Sequence, residues 1–151
     1  MTEEGKPALG PRAGWPKVMM AFAEAAATRS RDATTRVGAV VCTPAWRVVG
    51  TGYNGPPAGS PDALPMAGPE RHGWVIHAEE NAILQAGWAL GGRPAGCLLF
   101  STLRPCAACV LRAAHAGIGA IFYGADELSP EQEASALAAA VALGMPIGRV
   151  E

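Results

Sequence analysis

The second half of the chain alternates three times between a helix-forming stretch and a short apolar run, a rhythm that leaves few folds open. Ala78 to about Trp88 carries an apolar stripe of Ala82, Ile83 and Ala86 at helical spacing and breaks at Gly91-Gly92-Arg93-Pro94. Cys97-Leu98-Leu99-Phe100-Ser101 then reads as a buried strand. Cys106 to about Ala116 reads as a helix ended by Gly117, and Ala120-Ile121-Phe122-Tyr123 as the next strand. Ser129, Pro130 and Gln132 form a capping box with proline at the first helical position. That helix continues through Leu137 and Val141 to Leu143 and stops at Gly144 and Pro146, before a last strand from Ile147 to Val150. Helices joined to strands by short loops favour parallel strand neighbours and right-handed crossovers.

The first half begins differently. Pro16 suits the start of a helix that runs from near Trp15 to about Arg29, with Val18, Phe22, Ala25 and Ala26 on one face. Val37 to Cys42 and Val48 to Tyr53 are short, β-branched runs joined by Thr43-Pro44-Ala45, which predicts an antiparallel hairpin. Gly50 and Gly52 allow a bulge or a close approach by another element. The sum is an α/β fold: a mixed five-stranded sheet with helices on both faces, a three-layer α/β/α sandwich. Residues 15–151 form a single domain, preceded by a polar, Gly/Pro-rich tail over residues 1–14.

One segment has no periodicity. Asn54 to Gly73 holds five prolines and four glycines. Loops of this length inside a compact domain are mostly functional or disordered. Because this one runs straight into His77, it reads as a flap over a site; the alternative is a surface insertion.

The chemistry-bearing residues lie where two helices begin. His77-Ala78-Glu79 opens one, and Pro105-Cys106-Ala107-Ala108-Cys109 opens the other. An imidazole and two thiolates are zinc donors, and three protein ligands leave a fourth tetrahedral position open, the design of a catalytic zinc site. Cys106 and Cys109, three apart, share a helix face. Helix N-termini favour thiolate there. Glu79 is placed to take a proton from water and hand it to a leaving group. A redox Cys-x-x-Cys pair is the first competing reading, although here proline precedes the first cysteine. A closed structural zinc site is the second and needs a fourth ligand. Of the candidates, Cys42 and Cys97 sit in apolar strands as core thiols, His72 lies in the Gly/Pro-rich loop, and His115 falls about two turns past Cys109. Glu80 reads as a first-turn charge and Asn81 as a brace to the neighbouring loop.

Charge narrows the substrate. With 12 Lys and Arg against 13 Asp and Glu, the net charge is -1. There is no basic stripe of the kind nucleic-acid polymers require, whereas a small ligand with one phosphate needs few arginines. No apolar run reaches the roughly 20 residues of a membrane span, and the N-terminus has no apolar signal core. The expectation is a cytoplasmic protein with cysteines used as ligands or core thiols.

The spacing H-x-E…P-C-x-x-C resembles that of the zinc deaminases. Further stretches are similar to the deoxycytidylate (dCMP) deaminase family within the cytidine-deaminase-like superfamily: Arg29-Ser30-Arg31-Asp32, Val37-Gly38-Ala39, Gly52-Tyr53-Asn54-Gly55, Asp62-Ala63-Leu64-Pro65, His77 to Ile83 and Ala116-Gly117-Ile118. The resemblance implies a three-layer fold, one Zn2+ bound by His77, Cys106 and Cys109, and hydrolytic loss of ammonia from cytosine C4. Glu79 shuttles the proton, and the product of dCMP is dUMP. It implies a homo-oligomer, hexamer or dimer, with dCTP and dTTP as effectors. Asn54 matches the family's substrate-binding asparagine. Ala78, Trp74, Arg31 and Arg104 complete the candidate substrate contacts: Trp74 could stack on a base, and Arg31 and Arg104 are chosen for phosphate by position from Arg29, Ser30, Arg31, Arg36, Arg104 and Arg112. This chain departs from the family in carrying Ala107, Ala108, Val110 and Leu111 around the second cysteine, where polar residues are usual. That departure motivates the alternative, a zinc deaminase for another nucleobase or nucleoside of cytidine, guanine or tRNA-adenosine type.

Overall fold

The computed structural model describes residues 11–151, so most of the expected tail lies outside the described residues. The elements follow in the order α1 (Trp15–Ala27), β1 (Gly38–Cys42), β2 (Val48–Tyr53), α2 (Ala78–Leu90), β3 (Leu98–Leu103), α3 (Ala107–Ala116), β4 (Ala120–Ala125), α4 (Pro130–Leu143) and β5 (Ile147–Arg149). One sheet holds all five strands in the order β2-β1-β3-β4-β5. β1 runs antiparallel to both β2 and β3, whereas β3, β4 and β5 are mutually parallel. The mixed sheet expected from the alternation is therefore present.

Strand alternation separates two cores. Val40, Cys42 and Phe100 turn to one face and pack with Met19, Met20 and Ala23 of α1. Ala39, Val41, Leu99 and Ile121 turn to the other, under α2, α3 and α4 through Ala82, Val110, Ala113 and Ala140. Successive strand residues point to opposite faces, so a single run such as Ala39-Val40-Val41 feeds both layers. Phe100 is fully buried and stacks on Phe122 with centroids 4.8 Å apart.

One helix face differs from expectation. In α1 the buried residues are Met19, Met20 and Ala23, while Phe22 faces out. Lys17 and Glu24 are the only charged residues of that helix, too few to fix its phase by periodicity. In α4, Ala136 and Ala140 face in, and Leu137 and Val141 are exposed.

Glycine sets how closely the helices lie on the sheet. A Cβ on Gly50 would collide with the carbonyl oxygen of Ala82, and one on Gly52 with that of Ala78. Backbone of β2 thus rests directly on backbone of α2. Both glycines serve close approach, and the hairpin's register shift, between Val41 and Cys42, skips Val49 beside Gly50.

Helix ends follow their sequence signals. Ser129 and Gln132 exchange both hydrogen bonds of the capping box at α4. α2, α3 and α4 end on Gly91, Gly117 and Gly144, each in the left-handed conformation.

Candidate active site and metal centre

His77 and Cys106 occupy equivalent positions, each the N-cap residue of its helix in extended backbone. Neither side chain caps its own helix, so both are free to point at a common centre. His77 is brought there by a short bridge in which Gly55 and Ile76 exchange backbone hydrogen bonds of 3.1 and 2.8 Å. Cys109, one turn into α3, is buried.

His77 Nδ1 lies 3.3 Å from Cys109 Sγ and 3.7 Å from Cys106 Sγ. A tetrahedral zinc with ordinary Zn–N and Zn–S lengths places such a nitrogen and sulfur about 3.6 Å apart. The three donors lie within 4.8 Å of one another and are the group of this kind found among the described residues. Donor type and spacing fit zinc. Neither Cys42 nor Cys97 joins them; both are buried free thiols, as the strand pattern implied.

The electrostatics bear out a shared charge. Hydrogen bonds from the Cys109 thiol and from His77 bring the Cys106 thiol down to about 3. The Cys109 thiol is pushed up by its bond to Cys106 and by burial. The bond to Cys106 raises His77 above its ordinary value.

Glu79 is buried beside these donors. Its Oε1 accepts a hydrogen bond from the Ser101 hydroxyl at 3.1 Å, and Oε2 lies 3.8 Å from Cys109 Sγ. Burial raises its carboxyl above the usual range, against the pull of its own backbone N–H and of His77. A buried carboxyl with raised affinity for a proton thus sits beside the three donors. Ser101 had no role in the sequence reading, although a hydroxyl closing an apolar strand was a signal for one.

A pocket of about 260 Å³ opens over the centre, with His77, Ala78, Glu79 and Cys106 at its floor and Asn54 and Arg104 on its walls. The structure therefore brings together seven of the expected residues, counting Cys109 beside the pocket. It does not bring Arg31 or Trp74. Arg31 turns away to Asp62, bonding its carbonyl at 2.6 Å, and lines a separate polar pocket with Arg29 and Tyr53. Trp74 is half exposed and lies outside the pocket lining.

Asn54 is tied on both ends of its amide. Its Oδ1 accepts from the Val37 N–H at 2.8 Å, and its Nδ2 donates to the Thr35 carbonyl at 2.9 Å. Arg104 pairs through Nη1 with both Asp126 (2.9 Å) and Glu133 (3.0 Å). Its Nε is buried with no partner among the described residues. Asn81 braces the end of β2 by donating to the Tyr53 carbonyl at 3.2 Å, and Glu80 pairs with Arg112 at 3.3 Å.

The flap is partly ordered. Pro69–Gly73 forms a turn of 3₁₀ helix, and Arg71 and His72 from it reach the pocket wall. Arg71, Gln132 and Leu128 were not singled out as site residues from sequence; His72 was weighed only as a fourth ligand of a closed zinc site and does not join the donor group among the described residues. Their positions depend on loop conformation, which carries no periodic signal.

Comparison with known proteins agrees with this geometry. Residues 13–125 match the family described as the cytidine and deoxycytidylate deaminase zinc-binding region. The mouse deoxycytidylate deaminase is 34% identical over 129 residues, covering 81% of this chain and 71% of that protein. The deoxycytidylate deaminase of Mycobacterium phage D29 is 36% identical over 126 residues, covering 74% and 95% respectively. The dCMP deaminase of cyanophage S-TIM5, solved with dCMP and dUMP, superposes with a TM-score of 0.70 at 24% identity over 89% of this chain and 95% of that one. The chain belongs to the zinc-dependent cytidine and deoxycytidylate deaminase family.

Proposed function

We propose that the protein converts dCMP and water to dUMP and ammonia, with zinc held by His77, Cys106 and Cys109. The observation that carries this reading is the buried Glu79 carboxylate, fixed by Ser101 at the floor of a pocket that also presents Asn54 and Arg104. Similarity to deoxycytidylate deaminases along most of the chain selects the substrate.

The chemistry that zinc supplies when bound is activation of water at neutral pH. Glu79 takes up the proton released as the water oxygen adds to C4 and delivers it to cytosine N3. It then takes the proton of the new C4 hydroxyl and passes it to the amino group, so that the C4 carbonyl forms as the C4–N bond breaks and ammonia leaves. Its raised affinity for a proton suits both transfers. Ser101 holds Oε1, leaving Oε2 on the side of the donors. The second lone pair of Asn54 Oδ1 serves a sugar hydroxyl. For the 5′-phosphate the cation on the pocket lining is Arg104, both of whose ion pairs run through Nη1. Trp74 and Arg31 are not assigned to the substrate; Arg31, with Arg29, fits the polar pocket of about 600 Å³ as a site for a nucleotide effector such as dCTP or dTTP.

One observation favours a second reading. Two carboxylates already offset the charge of Arg104, which weakens it as a phosphate receptor and suits an unphosphorylated nucleoside or base. Ammonia release from dCMP, deoxycytidine, cytosine, guanine and adenosine separates the two. Turnover of dCMP above the others is expected. Turnover of an unphosphorylated compound with none of dCMP overturns the first reading.

Leu84 and Trp88 of α2 and Leu111 of α3 remain exposed, which supports assembly into a homo-oligomer, measurable by light scattering. Among the described residues no helix is long and apolar enough to cross a membrane. The free thiols of Cys42 and Cys97 support a reducing, cytoplasmic setting.

A further inference from the structure

Asp32 is 4% exposed, yet it sits in a loop, and burying a carboxylate is costly unless every lone pair is used. Here three hydrogen bonds reach it from two directions. Oδ1 accepts the backbone N–H groups of Thr34 and Thr35 at 2.8 and 2.9 Å. Oδ2 accepts Arg71 Nε at 3.0 Å, across 39 residues of chain. Burial works against the charged form, but the Thr35 and Thr34 amides and the Arg71 guanidinium outweigh it and hold the carboxyl below its usual value.

The hydrogen bonds do not stop at Asp32. Thr35, whose N–H it holds, offers its carbonyl to Asn54 Nδ2. Val37, two residues on, donates its N–H to Asn54 Oδ1. A continuous relay therefore runs from the 3₁₀ turn, through Asp32 and the backbone of residues 34–37, to the amide of Asn54. Without it Asn54 would be free to rotate about χ2, exchanging donor for acceptor at the pocket wall.

We infer that Arg71 is a positioning residue: through Asp32 and Thr35 it fixes the orientation of the Asn54 amide and so sets substrate affinity. This rests on the reading of Asn54 as a substrate contact. Arg71 also lines the pocket, so direct contact with a phosphate is the competing role, and the two differ in what they predict. An orienting role acts on the nucleoside part and is blind to phosphate. A contact role acts on the phosphate alone.

The test uses the zinc-loaded enzyme, Arg71→Ala and Arg71→Lys, assayed on dCMP and on deoxycytidine, with zinc content measured alongside. In Arg71→Ala, KM should rise on the order of tenfold for both substrates. Zinc content should stay unchanged and kcat should fall less than KM rises, and Arg71→Lys should recover part of the loss. The Asn54 side-chain amide resonance, followed by 15N NMR in the absence of substrate, should shift and exchange faster with solvent in Arg71→Ala. A KM rise confined to dCMP, or an Asn54 resonance that stays put, overturns the inference. If the unsubstituted enzyme turns over neither compound, the proposed substrate has failed, and the NMR comparison still decides the role of Arg71.

Discussion

Ser101 donates to Glu79 Oε1 at 3.1 Å from the middle of the sheet, where both groups are buried. A carboxylate in such a place is desolvated and held to one orientation. Replacing it by its isosteric amide in Glu79→Gln should leave bound zinc intact, since Glu79 is outside the donor group. Turnover should fall by about 10²–10⁴ or more, the usual contribution of a positioned acid–base group. Normal deamination by this variant would remove Glu79 from the mechanism; zinc content by atomic absorption and kcat are the measurements.

Cys106→Ala removes one of three donors and should lose both metal and activity. Because zinc binds the folded form, stripping it also lowers stability, by about 4 kcal/mol where free zinc stood a thousandfold above its dissociation constant. Thermal unfolding with and without chelator should show a large drop for the unsubstituted protein and almost none for Cys106→Ala. Full zinc occupancy in the variant would contradict the ligand assignment.

Gly52→Ala tests the contact between β2 and α2. The added Cβ meets the Ala78 carbonyl, a backbone atom that cannot move aside without taking His77 and Glu79 with it. A stability loss of about 1–3 kcal/mol is expected, as for other overpacked sites, together with reduced turnover. Urea unfolding and the deaminase assay would show a neutral outcome if the helix yields freely.

Acid stability should depend on Asp32. Its folded-state carboxyl titrates below the unfolded value of about 3.9. The stability it contributes is therefore fully present above that value and is lost as pH falls through the lower, folded one. Asp32→Asn should have a lower Tm than the unsubstituted protein at pH 6–7, and the gap should close on acidification below about pH 4. A gap independent of pH would mean that the charge of Asp32 does not matter.

What could be foreseen divides along physical lines. The mixed pairing followed from an early hairpin and the later β–α–β alternation; the order of the strands, with β1 between β2 and β3, came only from the structure. The His77, Cys106 and Cys109 cluster followed from donor chemistry at two helix starts. The buried face of α1 did not follow, because a helix rich in Ala and Met has little polar surface to set its phase. Arg31 was placed by its nearness in sequence to the first loop. Its long side chain found Asp62 instead, a contact 31 residues away that no local pattern encodes. Arg71 escaped notice for the same reason: its partner Asp32 lies across the whole flap.

The bare contact of β2 with α2 has a consequence for how such an enzyme can change. Asn54 follows directly from the end of β2, and His77 stands at the head of α2. At Gly50 and Gly52 main chain lies against main chain, and the Asn81 side chain braces the end of β2 beside them. The interval between the Asn54 amide and the head of α2 is therefore already at its shortest, and a substitution at either glycine can only widen it. Changes that keep this interval while altering what the pocket accepts fall to the loop before α2 and the loop before α4, which supply Arg71, His72 and Leu128 to its lining.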